Sequence, residues 1–408
     1  MTIDLKKFYL IDKQKLVHLL FYSGILLAYL SSMNVSFFWP IRNFYHIIVT
    51  MFVVAAMLIA NSMEKSIFSR RDFVVPTIAC FAILFYQLAV NETLFGAYIV
   101  LPFNLFIFFS IFRLDREELP RIATFLCKTM AILMLICIPA FLLYLLGYPL
   151  PHRNTDFNEI YFFSNYYFFM IEDGFINEII PRFHAFFLEP GHMGTAYVLL
   201  LATQIGKWKK WYNVVLIFAT LISFSLAAYG LFIIVFFLQL WMKKKNVIRK
   251  ALLFIAIMAA FVGGSFVYRD GDNMLNALIV MRLEMNEAGD DIEGNNRVSE
   301  GFLAEYDNYM QSSDIFFGRD MPKNTFGNSG YRVYIYEYGI IGFILVYTFY
   351  VLAMYKAPYK RAFFAMLILS LANFWIRAYP LWFGFFIPYF IMAMQPSFYL
   401  EEKTYDTD

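Results

Sequence analysis

A chain of 408 residues that is 61% hydrophobic and only 16% charged, with mean hydropathy +0.58, carries more apolar side chain than a water-soluble domain can bury. Its net charge of +2 gives no basis for a nucleic-acid partner. No Walker phosphate loop or dinucleotide fingerprint is present, which leaves no motif for ATP or a nucleotide-sugar.

Apolar runs long enough to cross about 30 Å of hydrocarbon recur along the chain. They predict an all-α, polytopic membrane protein forming a single transmembrane domain over residues 1–408. Twelve spans are expected near residues 16–33, 44–61, 73–91, 94–112, 128–147, 185–206, 211–224, 227–241, 249–267, 331–354, 361–376 and 379–396. The run from Trp211 to Trp241 is too long for one span and short for two, so it is divided at 223–230 with a tight outer turn. The first span follows Lys6, Lys7, Lys13 and Lys15 and reads as a retained signal anchor. Cys80, Cys127 and Cys137 fall in or near spans, so no disulfide framework is implied.

Placement of Lys and Arg sets the expected orientation. With both termini cytoplasmic, 23 of the 33 fall inside, including the short basic loops Lys207, Lys209, Lys210 and Lys243, Lys244, Lys245. Nine of the ten outer basic residues are Arg: Arg42, Arg153, Arg182, Arg269, Arg282, Arg297, Arg319, Arg332 and Arg377. Arg is preferred where a planar fork must grip phosphate or carboxylate, although each of these could also snorkel or pair with outer acids. Most of the hydrophilic mass lies in two external loops, 148–184 and 268–330. The first is rich in aromatics from Tyr161 to Phe169 and reads as a segment lying in the membrane interface, or as a sugar-stacking platform. The second is expected to contain short amphipathic helices.

Two stretches concentrate chemistry. In Arg182-Phe183-His184-Ala185-Phe186-Phe187-Leu188-Glu189-Pro190-Gly191-His192-Met193-Gly194, Pro190 suits the first helical position and Glu189 its cap. A helix start with small residues suits a phosphate, and Glu189 and His192 stand one turn apart as an acceptor and a proton carrier. The alternative is a capping Glu beside His residues in a wet interface. In the second stretch, from Arg319 to Gly342, Arg332, Tyr336 and Gly339 are expected on one helix face, with Gly339 and Gly342 allowing close helix contact. Glu337 enters the same span. Arg377 sits between the last two spans, either as an interface anchor or pointing into a cavity. Asp270-Gly271-Asp272 is either a turn or a metal-binding triplet, with the turn the commoner cause.

These residues resemble the O-antigen and capsule polymerases (Wzy) and the related O-antigen ligases, multispan proteins with a large late outer loop. Phe187-Leu188-Glu189-Pro190-Gly191-His192-Met193-Gly194 resembles the family's stretch ending in acidic-Pro-small. Ser223-Phe224-Ser225-Leu226 resembles its Ser-x-Ser-Arg element, with Leu226 in place of Arg. Asn328-Ser329 followed by Gly339-Ile340-Ile341-Gly342 resembles the ligase pattern, with Asn328 where ligases carry His; together with Arg319 and Gly330 at the polymerase spacing, this favours polymerase.

The resemblance implies a GT-C-like fold in the bacterial inner membrane and a metal-independent glycosyltransferase without cofactors. The donor would be a glycan on undecaprenyl diphosphate, and the acceptor a lipid-linked repeat unit at the periplasmic face. Membrane lipids, a chain-length regulator and a flippase are the implied partners. Arg182 and Arg332 would steady the diphosphate with Arg377, and Glu189 would act as base or orienting group. His192 and Glu337 are further catalytic candidates, and Arg319, Arg269, His184, Tyr336 and Asn328 further substrate-binding candidates. The rivals are an O-antigen ligase and a flippase or exporter of the same lipid-linked sugar.

Overall fold

The computed structural model describes residues 12–90, 95–159, 161–175, 181–243, 247–273, 276–284, 299–321 and 330–395. It is 72% helical and 4% strand, an all-α membrane protein. In chain order the apolar helices are α1 (Lys13–Ser32), α2 (Tyr45–Asn61), α3 (Val74–Val90), α4 (Phe95–Phe112), α5 (Leu119–Leu145), α6 (Pro190–Thr203), α7 (Trp211–Ile222), α8 (Leu226–Lys243) and α9 (Val247–Val267). The short polar α10 (Glu300–Met310) follows in the large loop, and α11 (Tyr331–Met354), α12 (Lys360–Ile376) and α13 (Phe383–Met394) come after it. Among the described residues five helices, at 13–32, 119–145, 226–243, 248–270 and 331–354, are long and apolar enough to cross a membrane.

Each expected span overlaps a helix, but several are shorter than a bilayer crossing. At roughly 1.5 Å per residue, the 14 residues of α6 reach about 21 Å and the 12 of α7 about 18 Å. The break between α7 and α8 is confined to Ser223–Ser225, tighter than the 223–230 turn expected. In the other direction, α5 begins at Leu119 rather than 128.

Apolar on every side, α6 is buried from His192 to Thr203 and packs against α5, α7, α8 and α13. By contrast, α9 lies at the periphery against α8, with Leu252, Leu253 and Ile255 exposed, as a lipid-facing helix requires. One end of the bundle carries the short basic connectors. They are tied by Asp115 N–H to Ile67 O at 2.7 Å, Arg70 N–H to Arg113 O at 3.2 Å and Arg116 Nη2 to Lys356 O at 2.8 Å. The opposite end carries the longer loops.

Residues Tyr161 to Phe169, expected as an interfacial segment, instead enter a three-stranded antiparallel sheet of β1 (Arg153–Phe157), β2 (Tyr161–Asn165) and β3 (Met170–Glu172). The register pairs Phe157 with Tyr161, Phe163 with Glu172 and Asn165 with Met170. With a side-chain period of two, these six share one face. On that face Phe157, Phe163 and Met170 pack with Leu188 and Trp39. Residues 185–187 are held on both sides, by Met170 N–H to Ala185 O at 2.8 Å and by Ser36 N–H to Phe186 O at 2.9 Å. The sheet is therefore fastened over the start of α6.

Helix α11 breaks at Gly339 (φ 63°, ψ −177°), a conformation only glycine adopts readily. A Cβ at Gly339 would collide with the carbonyl of Phe316, and one at Gly318 (φ 87°) with that of Glu337. Two backbones thus cross where no side chain fits, which seats the segment after α10 on α11. This corrects two expectations: Gly339 serves a backbone crossing rather than helix contact, and it does not continue the helical face of Arg332 and Tyr336. Gly342 does meet another helix, since a Cβ there would lie 3.1 Å from Cε1 of Tyr86 on α3.

Candidate functional site

Glu189 occupies the cap position of α6 with extended backbone (φ −142°, ψ 154°), and Pro190 opens the helix. Its side chain makes no capping bond. Instead Oε2 accepts a hydrogen bond from Nη1 of Arg377 at 3.1 Å, and Nδ1 of His192 stands 3.9 Å from the same oxygen. Arg377 is the cap residue that ends α12, and its side chain is only 6% exposed. A charge so deep is stable only when paired, and Glu189 is that pair.

Glycine makes the approach possible. A Cβ on Gly191 would overlap Nη2 of Arg377 and lie 3.6 Å from Oγ of Ser225. A Cβ on Gly194 would press on Ala228 and stand 3.5 Å from Oγ of Ser223. The Ser223–Ser225 turn thereby lays the start of α8 against the start of α6, with Arg377 beside both. Ser225 Oγ accepts from Ala228 N–H at 3.4 Å, serving the first turn of α8. Two helix amino ends, each with partial positive charge, lie beside one guanidinium, an arrangement suited to an anion.

The sheet supplies the roof. Tyr161 donates its hydroxyl to Glu189 Oε1 at 3.5 Å, and its phenol is pushed up to about 12, first by burial and then by Glu189 and Glu172. Glu172, on the same sheet face, has its carboxyl raised by burial and then by Glu189, with Arg182 pulling it down. Both carboxylates and Arg182 therefore act in one electrostatic neighbourhood. Tyr379 stacks on Trp382 at 4.1 Å between centroids, 5° from parallel, and Trp382 lies 5.8 Å from the His192 ring. The Tyr379 phenol is raised by burial and then by the charge of Glu337, while Arg377 lowers it.

The structure thus gathers Glu189, His192 and Arg377 directly, while Arg182 and Glu337 act through their charge, on Glu172 and Tyr379. Arg332 sits in the first turn of α11 with its guanidinium 5.6 Å from the Tyr331 ring, and Tyr331 stacks on Trp375 at 4.3 Å, two residues before Arg377. The carboxyl of Glu172 was not among the expected site groups, and Tyr161 was expected only as an interfacial or sugar-stacking aromatic, not as a partner of Glu189. Their signal was the alternation that places Tyr161 and Phe163 on one strand face.

Other candidates have structural duties instead. His184 is 3% exposed, its Nδ1 lies 2.6 Å from the carbonyl of Phe187, and burial brings its imidazole down to about 4. It is a neutral core group holding the turn before α6, not a glycan contact. Arg319 pairs with Glu305 at 2.9 Å and Asp314 at 3.0 Å and donates to Ser312, while Tyr336 donates to Glu305 at 3.0 Å. Both fasten α10 to α11 rather than facing substrate. Arg269 is exposed beyond α9 with its guanidinium 5.4 Å from its neighbour Tyr268, in a turn closed by Asp272 N–H to Arg269 O at 2.9 Å. Asn328 lies outside the described residues. Among the described residues no group of three or more His, Cys, Asp or Glu is placed to hold a metal ion.

The arrangement can hold an anion on a preset guanidinium, carry a proton on either of two carboxylates, and offer Tyr161, Tyr379 and Trp382 to a sugar face. No protein-family model, curated protein or solved structure matches this chain.

Proposed function

We propose that the chain is a polysaccharide polymerase, which moves a growing glycan from undecaprenyl diphosphate onto a lipid-linked repeat unit at the periplasmic face of a bacterial inner membrane. Both termini are then cytoplasmic, by the charge of the basic connectors. The observation that carries this reading is the Glu189–Arg377 pair, 3.1 Å across, where two helix amino ends meet beneath an aromatic-bearing sheet.

The acceptor hydroxyl oxygen attacks the anomeric carbon, the bond from that carbon to the diphosphate oxygen breaks, and undecaprenyl diphosphate leaves with the electron pair. Arg377 and the two helix ends stabilise charge that grows on the leaving group. Arg182 and Arg332 flank its approach. The hydroxyl proton passes to Glu189. In the resting site Glu189 is held by Arg377; a diphosphate competes for that guanidinium and releases the carboxylate when an acceptor is needed. His192, one turn on, orients Glu189, and Glu337 is a further proton carrier. This scheme uses no metal or cofactor.

Cells carrying Arg377→Ala or Glu189→Gln are expected to lose long-chain polysaccharide while still displaying glycan of a single repeat. Accumulation of lipid-linked units on the inner leaflet would instead assign the chain to export. Elongation of lipid-linked repeats by the purified protein in EDTA, with no transfer to a lipid A core acceptor, separates polymerase from ligase.

A further inference from the structure

At the basic end of the bundle, opposite the Glu189 site, a cleft between α2 and α4 encloses about 480 Å³. Met57, Leu58 and Phe106 give it apolar walls, while Asn61, Ser66 and Arg113 bring polar atoms. Leu58 is 71% exposed, so the cleft opens sideways, toward where lipid lies around a membrane protein.

Arg113 is held in place without being neutralised. Its guanidinium carbon sits 4.9 Å from the centre of the Phe73 ring, and Nη2 donates to the carbonyl of Phe68 at 2.9 Å. Its Nε is buried without an acceptor among the described residues. The neighbouring carboxylates are engaged elsewhere: Asp115 accepts from Ser69 Oγ at 2.6 Å, and Asp72 binds Arg70 at 2.6 Å and faces Lys356 at 3.9 Å. Among the described residues lining the cleft, Arg113 is the one with a formal charge. Lys65 stands exposed beside Ser66, with Glu64 next to it. A guanidinium fixed on the cleft wall, with no carboxylate paired to it among the described residues, calls for an oxyanion. Apolar walls open to the side call for a chain attached to that oxyanion.

We infer that this cleft binds an anionic phospholipid, with the headgroup phosphate on Arg113 and an acyl chain along Met57, Leu58 and Phe106. The site is independent of the glycan reaction.

The test is native mass spectrometry of the delipidated full chain with added dioleoyl phosphatidylglycerol or dioleoyl phosphatidylcholine. One phosphatidylglycerol should be retained in preference to phosphatidylcholine. Arg113→Gln should weaken that retention about fivefold, as removal of one cation from an anionic lipid implies. Because Arg113→Gln also removes the bond to Phe68, Asn61→Trp supplies a second variant: it fills the cleft from an exposed position, leaves Arg113 intact, and should reduce retention as well. Equal retention of the two lipids by the wild-type chain, or unchanged phosphatidylglycerol binding in Asn61→Trp, overturns the inference. Displacement by equimolar undecaprenyl phosphate would give the cleft to a polyprenyl lipid, and displacement by inorganic phosphate would make it a free-anion site. Either result overturns the phospholipid assignment.

Discussion

Replacing Arg377 with Met while Glu189 stays leaves a carboxylate at the start of a buried helix without the cation it was folded against. At 3.1 Å and an effective dielectric of about 20, the attraction amounts to about 5 kcal/mol before desolvation. Glu189 is 31% exposed, so water recovers part of this once the partner is gone. The coupling measured by a double-mutant cycle should therefore be about 2 to 4 kcal/mol. Arg377→Met and Glu189→Gln should each destabilise the protein by roughly that amount, and the double variant by no more than the worse single one. Unfolding of the four proteins in mixed micelles supplies the numbers. Effects that add to within about 0.5 kcal/mol would show two independent groups, and the idea of a preset guanidinium would fall with them.

Two further substitutions test the surroundings of the site. Gly339→Ala forces a side chain into the carbonyl of Phe316 at φ 63°, so stability should drop by about 3 kcal/mol or more, with faster hydrogen exchange over residues 300–316; native exchange there would refute the backbone crossing. For His184 the folded value of about 4 lies below the ordinary 6.5, so the unfolded chain binds the proton first. Its contribution is complete above pH 6.5 and is lost as pH falls toward 4, about 3 kcal/mol over that window. A His184→Gln variant should show a shallower acid slope, and identical slopes would mean that the ring is not buried as a neutral group.

The apolar helices were legible because each is an uninterrupted hydrophobic run. Their ends were not. Helix α5 starts at Leu119 because Glu118 and Arg121 pair at 2.5 Å and Glu118 also accepts from Tyr22 at 3.0 Å, so a charged stretch that looks like a connector can be helical and packed. The sheet escaped because its turn runs through Asn158 and Glu159, both at φ 58°, and only the first is a residue that signals a left-handed turn. At the site, Glu189, Pro190 and Gly191 announced a helix start from local order alone. That the Glu189 side chain would bond Arg377 instead of its own helix could not be seen, since no local pattern joins residues 188 positions apart. Arg319 and His184 show the converse: a conspicuous residue type can be absorbed by loop and turn architecture.

That separation also has a consequence in time. A ribosome adding about 5 to 20 residues per second needs roughly 10 to 40 s to travel from Glu189 to Arg377, and in that interval the nascent chain holds the carboxylate before its partner has been made. The helix that Glu189 heads must therefore be accommodated by the insertion machinery before the cation that steadies it exists. A chain cut short before α12 would have the sheet and the start of α6 but not the guanidinium. Competence to grip an anion arrives only once the end of α12 has been made, after the sheet and the start of α6 are already in place.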